Sequence, residues 1–182
     1  LVSTSSYAIA LADRLDQLGI DPKSLSLKTG LFGGEPWSEK MREEIENRLL
    51  LKATDNYVIS ELIGPGVAGE CLCKKGMHIY EDAFIPEIID PETGAVLPAG
   101  AEGELVLTTL TREAFPLIRY RTGDVTSLDY TPCECGRTLV RMKKIMRRSD
   151  DMIIVRGVNV FPAQIEDALF SVAQGETPYQ IV

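Results

Sequence analysis

The stretch from residue 120 to residue 159 constrains this chain most. It opens with Tyr120-Arg121-Thr122-Gly123-Asp124 and closes with Arg148-Ser149-Asp150-Asp151, ahead of Met152-Ile153-Ile154-Val155-Arg156-Gly157-Val158-Asn159. Residues 115–120 are apolar enough to read as a strand, so Gly123 supplies a turn and Asp124 sets a carboxylate at the strand's end. Two neighbouring ribose hydroxyls could both donate to such a group. Taken alone, Thr122-Gly123-Asp124 reads first as an ordinary turn capped by Asp, and it is the surrounding motifs that reverse this.

A chain of 182 residues has room for one domain, or for one domain and the beginning of another. Its 45% apolar and 25% charged residues are those of a soluble globular protein. No apolar run approaches the roughly 20 residues that cross a bilayer, and no basic-then-apolar leader is present, so the expectation is a cytoplasmic protein without a membrane partner. The net charge of −8 argues against a nucleic-acid partner, which would call for clustered Lys and Arg. The one basic cluster, residues 141–148, is either a solvated face or a source of positive potential beside a phosphate. Leu1 runs almost directly into a helical pattern and Gln180-Ile181-Val182 reads as the start of a strand, so the chain is expected to be a piece of a larger protein.

Residues 7–18 carry Ala8, Leu11, Ala12, Leu15 and Leu18 at helical spacing, with Gly19 as the stop. Residues 27–32 read as a short strand, Ser38 as the cap of a second helix reaching about residue 51 with Met41, Ile45 and Leu49 on one face, and residues 53–57 as a second strand. Strand, helix, strand implies a parallel pair, with Gly33-Gly34-Glu35-Pro36 and Ser60-Glu61 at the carboxyl ends where ligands bind. Beyond Gly64 the runs 79–90, 103–110 and 115–120 read as antiparallel strands, residues 133–141 as a surface excursion, 152–155 as another strand, and Pro162 as the first residue of a last helix.

Several residues could carry chemistry. Gly33-Gly34 gives a backbone that a flat ring can approach, or simply a tight turn. Tyr57 could stack on a ring, Ser60 could donate to a phosphate or carboxylate oxygen, and Glu61 could bind the Mg²⁺ that accompanies ATP. Cys71-Leu72-Cys73, His78 and Cys133-Glu134-Cys135 suit tetrahedral Zn²⁺ through three sulfurs and one imidazole, with Cys71 and Cys73 competing for one position; four reduced thiols are the plain alternative. Arg148 could reach a nucleotide's ribose or phosphate, and Asp150 tolerates the backbone change of a pivot. One histidine gives little support to a Ser/His/Asp triad.

Together these motifs closely resemble the phenylacetate–coenzyme A ligases, a branch of the adenylate-forming enzymes that includes acyl-CoA synthetases and firefly luciferase. The resemblance runs through Gly33-Gly34-Glu35-Pro36, Ser60-Glu61, Ile63-Gly64-Pro65-Gly66-Val67-Ala68, Glu81-Asp82-Ala83-Phe84, residues 86–91, 108–124 and 148–162. It implies an α/β fragment of that fold: a mixed sheet with flanking helices, a β-rich subdomain from about residue 64, a large domain over 1–149, and a hinge with the start of a small C-terminal α+β domain over 150–182. It also implies two steps, in which ATP and an aryl acid give an acyl-adenylate and coenzyme A then displaces AMP. Carried over, Gly34, Glu35 and Tyr57 line the adenine pocket, Ser60 the phosphate side, Glu61 the Mg²⁺, Asp124 the ribose with Arg148 assisting, and Asp150 is the hinge. The sequence departs from the family at Val58 and at Arg147, where the family usually has Gly. It also contains neither the Ser/Thr/Gly-rich phosphate loop nor the far C-terminal catalytic Lys, so this stretch is expected to be inactive alone. The exact acid is not legible, and oligomeric state stays open, a homodimer included.

Overall fold

The computed structural model describes residues 1–145, 147–149, 153–155, 158–160, 165 and 168. β1 (Val2–Ser3) leads into α1 (Ser5–Leu18), where the Thr4 hydroxyl accepts from the Tyr7 N–H and Gly19 ends the helix in the left-handed region at φ 63°. The helix therefore starts two residues before the expected boundary, because the cap is Thr4. Ala8, Ile9, Ala12 and Leu15 face inward, whereas Leu18, expected inside, is 53% exposed. Ile9 lies on the Ala12 side of the stripe and Leu18 falls off its opposite flank.

A short turn of 3-10 helix (Pro22–Ser24) precedes β2 (Thr29–Gly33), α2 (Glu39–Leu49) and β3 (Lys52–Ile59). Ser38 caps α2 by accepting from the Met41 N–H, and the helix stops at Leu49 because Leu50 turns left-handed at φ 52°. β1, β2 and β3 run parallel, as the strand–helix–strand order requires. Both helices press on these strands around Phe32, Ile45, Leu49 and Ala53, all fully buried. Burying each large side chain there contributes about 1.5–3 kcal/mol, and Ile45→Ala would cost about 2–5 kcal/mol.

The remaining strands are antiparallel: β4 (Gly64–Glu70), β5 (Met77–Ile79), β6 (Phe84–Ile89), β7 (Glu102–Thr109), β8 (Tyr120–Asp129), β9 (Arg141–Met142) and β10 (Arg147–Arg148). They extend one sheet in the order β1-β2-β3-β4-β5-β9-β8-β7-β6, with β10 also on β8. The expected run 79–90 is split by a turn in which Ala83 and Phe84 donate to the Tyr80 carbonyl. A second core forms on this β-rich part around Leu62, Val67, Ile79, Leu105, Leu107 and Met142. Among the described residues, β11 (Ile153–Val155) and β12 (Val158–Val160) pair only with each other. Of the helix expected from Pro162, only Ile165 and Ala168 are described, both helical, and the expected hinge Asp150 lies outside the described residues. No described helix is long and apolar enough to cross a membrane.

The strand expected at 115–120 is also corrected. Residues 115–119 are a loop, with Phe115 and Arg119 at positive φ and Phe115 and Ile118 exposed. The strand starts at Tyr120 and runs through Thr122-Gly123-Asp124. Pairing passes from Glu104–Val125 to Val106–Arg121, so Thr122, Gly123 and Asp124 bulge opposite Leu105. Gly123, at φ 76°, permits the bulge that re-aims Asp124, so the carboxylate projects from within a strand and not from its end.

Candidate active site

β2 and β3 end side by side, and the segments leaving them wall a pocket of about 390 Å³. Gly34, Glu35, Pro36 and Trp37 line one side; Tyr57, Val58, Ser60 and Glu61 another; Thr122, Asp124, Lys144 and Arg148 close it from β8 and the segment after β9. This is the carboxyl-end position at which ligands bind open α/β sheets.

The two glycines have different tasks. A Cβ on Gly33 would come within 2.1 Å of the Asn56 carbonyl oxygen, so Gly33 serves the close approach of β2 to β3. Gly34, at φ 84° and with nothing nearer than Val58 at 3.8 Å, turns the chain along the pocket edge. The Glu35 carboxylate engages the start of α1. It accepts from the Ser5 hydroxyl and the Ser6 amide, both at 2.6 Å, and from the Ser6 hydroxyl at 3.0 Å. A negative charge there meets the unpaired amides of the first turn of α1. What Glu35 offers the pocket is its position in the wall, with its charge spent on the helix.

Tyr57 Oη donates to Asp124 Oδ2 at 2.5 Å, and Arg148 Nη1 donates to Asp124 Oδ1 at 3.2 Å. Thr122 braces the bulge: its hydroxyl donates to the Leu105 carbonyl at 2.8 Å and accepts from the Asp124 amide at 3.1 Å. Burial first, and the Asp124 carboxylate second, push the Tyr57 phenol above its ordinary range, so it remains a donor. The result is a nearly buried carboxylate held in one orientation by three elements. Ser60 and Glu61 lie exposed in the turn after β3, which the Arg112 guanidinium ties down by donating to the Glu61 carbonyl. The Glu61 side chain has no ion-pair partner among the described residues.

Trp37 and Lys144 are among the pocket residues that sequence reasoning does not single out. Lys144 Nζ donates to the Trp37 carbonyl and sits 5.2 Å from the centre of the Trp37 ring, with Arg42 4.6 Å from the same ring. The available signal was the basic run 141–148, which brings Lys144 and Arg148 to this pocket.

Away from the pocket, Cys71, His78, Cys133 and Cys135 present ligand atoms all within 4.8 Å of one another, a set that does not include Cys73. All four cysteines are unbridged. The Arg137 amide and guanidinium hold the Cys135 thiol down to about 6, whereas burial pushes Cys71 up to about 11.

No family model matches the chain. It is 51% identical over 98% of its length to a phenylacetate–coenzyme A ligase of Thermus thermophilus and 54% identical over 93% to one of Aromatoleum evansii. The chain belongs to the phenylacetate–coenzyme A ligase family. It spans 40% and 38% of the length of those two relatives. A solved 2-hydroxyisobutyryl-CoA ligase, in the postadenylation state in complex with 2-HIB-AMP, is 31% identical with a TM-score of 0.84, over 94% of this chain and 37% of that one. The two positions expected to depart from the family pattern lie at different places in the fold. Val58 is half-buried in the pocket wall beside a bulge between β3 and β4, and Arg147 is in β10, 3.9 Å from Glu102.

Proposed function

We propose that this chain is the nucleotide-holding segment of an AMP-forming acid–thiol ligase that converts an aryl acid, phenylacetate or a near analogue, to its coenzyme A thioester. The Tyr57–Asp124–Arg148 cluster at the pocket carries this reading. A carboxylate oriented from both sides can accept from the two ribose hydroxyls of a nucleotide, while the Gly34-Glu35-Pro36 backbone and Tyr57 flank the adenine. Ser60 is assigned to the phosphate side, where Lys144 adds positive charge.

In the first half-reaction the acid's carboxylate attacks the α-phosphorus in line, forming an acyl-adenylate and releasing pyrophosphate. In the second, the coenzyme A thiol adds to the acyl carbon, AMP leaves with the bonding pair and the thiol gives up its proton. The chain's part is to hold the nucleotide still while charge moves. Glu61 fits Mg²⁺: an exposed carboxylate on the pocket wall with no competing cation among the described residues, for an ion usually held by one or two carboxylates together with phosphates. Bound there, Mg²⁺ would neutralise phosphate charge. Residues 1–149 are assigned to the large domain and 150–182 to the start of the small one, with Asp150 as the pivot between half-reactions. Four unbridged thiols suit the reducing cytoplasm.

The test is a calorimetric titration of the protein with AMP and Mg²⁺ beside an Asp124→Ala variant. Binding that the variant loses supports the site. Equal binding by both proteins overturns it. For the activity, pyrophosphate release that depends on an aryl acid supports the ligase, and its absence in a full-length, nucleotide-binding protein would overturn that part alone.

A further inference from the structure

We infer that Cys71, His78, Cys133 and Cys135 form a tetrahedral zinc site, with Cys73 outside the ligand set, and that the ion staples the strands that present Lys144 and Met77 to the pocket. The ligand-atom distances fit such a site. For Zn–S of ~2.3 Å and Zn–N of ~2.0–2.1 Å, a regular tetrahedron has S···S edges of about 3.8 Å and S···N edges of about 3.6 Å. Cys71 Sγ lies 3.8 Å from Cys133 Sγ, and Cys135 Sγ lies 3.6 Å from His78 Nε2. A disulfide requires about 2.05 Å, so the Cys71 and Cys133 sulfurs are spaced for a shared ion and not for a bond.

The local backbone is built for the same purpose. Each cysteine pair sits in a tight turn: Lys74 N–H donates to the Cys71 carbonyl at 3.0 Å and Gly136 N–H to the Cys133 carbonyl at 2.9 Å. Lys74 and Gly136 both take positive φ, which folds each turn back over its sulfurs. His78 is 2% exposed and anchored on β5. Its Nε2 faces the Cys135 sulfur, and its Nδ1 is buried with no hydrogen-bond partner among the described residues, so the ring's polar contact there is on the cysteine side. Zinc would satisfy Nε2 in a place that water does not reach.

Three thiolates on one Zn²⁺ leave a net negative charge, and Arg137 Nη1 donates to Cys135 Sγ at 3.4 Å to offset it. The choice between the first two cysteines follows from burial. Cys71 is buried with its sulfur against Cys133, whereas Cys73, half-buried, falls outside the cluster.

The site joins two segments far apart in sequence: the turn between β4 and β5, and the excursion between β8 and β9. That excursion has little core of its own, and β5 pairs with β9 through Met77–Met142 and His78–Arg141. Both strands adjoin the pocket, through Met77 on β5 and through Lys144 two residues past β9. The ion would therefore fix the edge of the candidate active site without touching a substrate.

The experiment measures zinc in the purified protein, then counts thiols with a chromogenic disulfide reagent before and after chelation, on wild type, Cys73→Ser and Cys135→Ser. One zinc per chain is expected, with one reactive thiol rising to four on chelation. Cys73→Ser should keep the zinc and show no reactive thiol, and Cys135→Ser should lose it. Replacement by Co²⁺ should give the strong visible absorption of a tetrahedral thiolate site, a readout that survives if Cys135→Ser fails to fold. A folded wild type that takes up neither Zn²⁺ nor Co²⁺ overturns the site, and loss of metal in folded Cys73→Ser overturns the ligand set.

Discussion

Tyr57 donates its phenol proton to Asp124 across 67 residues of chain and joins the parallel part of the sheet to the antiparallel part at the pocket. Tyr57→Phe removes that donor and leaves Asp124 with Arg148. A hydrogen bond to a charged group contributes about 1.5–3 kcal/mol, so the variant should lose an amount of that order at neutral pH in a denaturant titration. The phenol's raised pKa also fixes a sign. Its neutral form is favoured in the folded state, so its contribution is fully present below the unfolded value of 10.0 and declines as pH rises above it. The gap between wild type and Tyr57→Phe should therefore narrow above pH 10; a gap that widens there would contradict the assignment.

Glu35 yields the opposite pattern. Because its carboxylate satisfies Ser5 and Ser6 at the start of α1, Glu35→Ala should cost about 0.5–2 kcal/mol, the usual range for a lost helix cap. Glu35→Gln keeps an accepting oxygen and should recover part of that. AMP affinity in Glu35→Gln should stay close to wild type, and a collapse comparable to that of Asp124→Ala would show that the carboxylate turns to the nucleotide.

Gly33 and Gly34 should respond to alanine for separate reasons. At Gly33 the new methyl collides with the Asn56 carbonyl, and the overpacking should cost about 1–3 kcal/mol by spreading β2 and β3. At Gly34 the methyl makes only ordinary contact with Val58 and the penalty is the left-handed backbone, about 1–2 kcal/mol. Thermal melts give both costs, and only Gly34→Ala should leave the β2–β3 amides as protected from hydrogen exchange as in wild type.

Asp129 tests acid sensitivity at the base of the cysteine excursion. The Thr131 hydroxyl and amide, with Arg141 beside them, hold its carboxyl below the ordinary 3.8. Its contribution is present above that value and lost as pH falls through the lower folded one. Asp129→Asn should thus be less stable than wild type at pH 7, and the difference should shrink below about pH 3.8 when denaturant midpoints are compared. A difference that persists unchanged in acid would count against the ionised pair.

Much of the frame was legible in the chain itself. The parallel strands and their helices, the Ser38 cap, the Gly19 stop and the antiparallel character beyond residue 64 all follow from periodicity and end signals within a few residues of each other. Motif spacing also singled out Tyr57, Ser60, Glu61, Asp124 and Arg148, which the fold gathers at one pocket. Only the tertiary structure decided how they meet. The loop at 115–119 and the bulge at Gly123 depend on register between β7 and β8, which is set by pairing with a distant strand. The turning of Glu35 onto α1, the arrival of Lys144 beside Trp37 and the selection of Cys71 over Cys73 are likewise contacts between segments 29 to 107 residues apart. Sequence fixes the local conformations because their hydrogen bonds close within a turn or two; which side chains share a pocket depends on how the sheet brings those turns together.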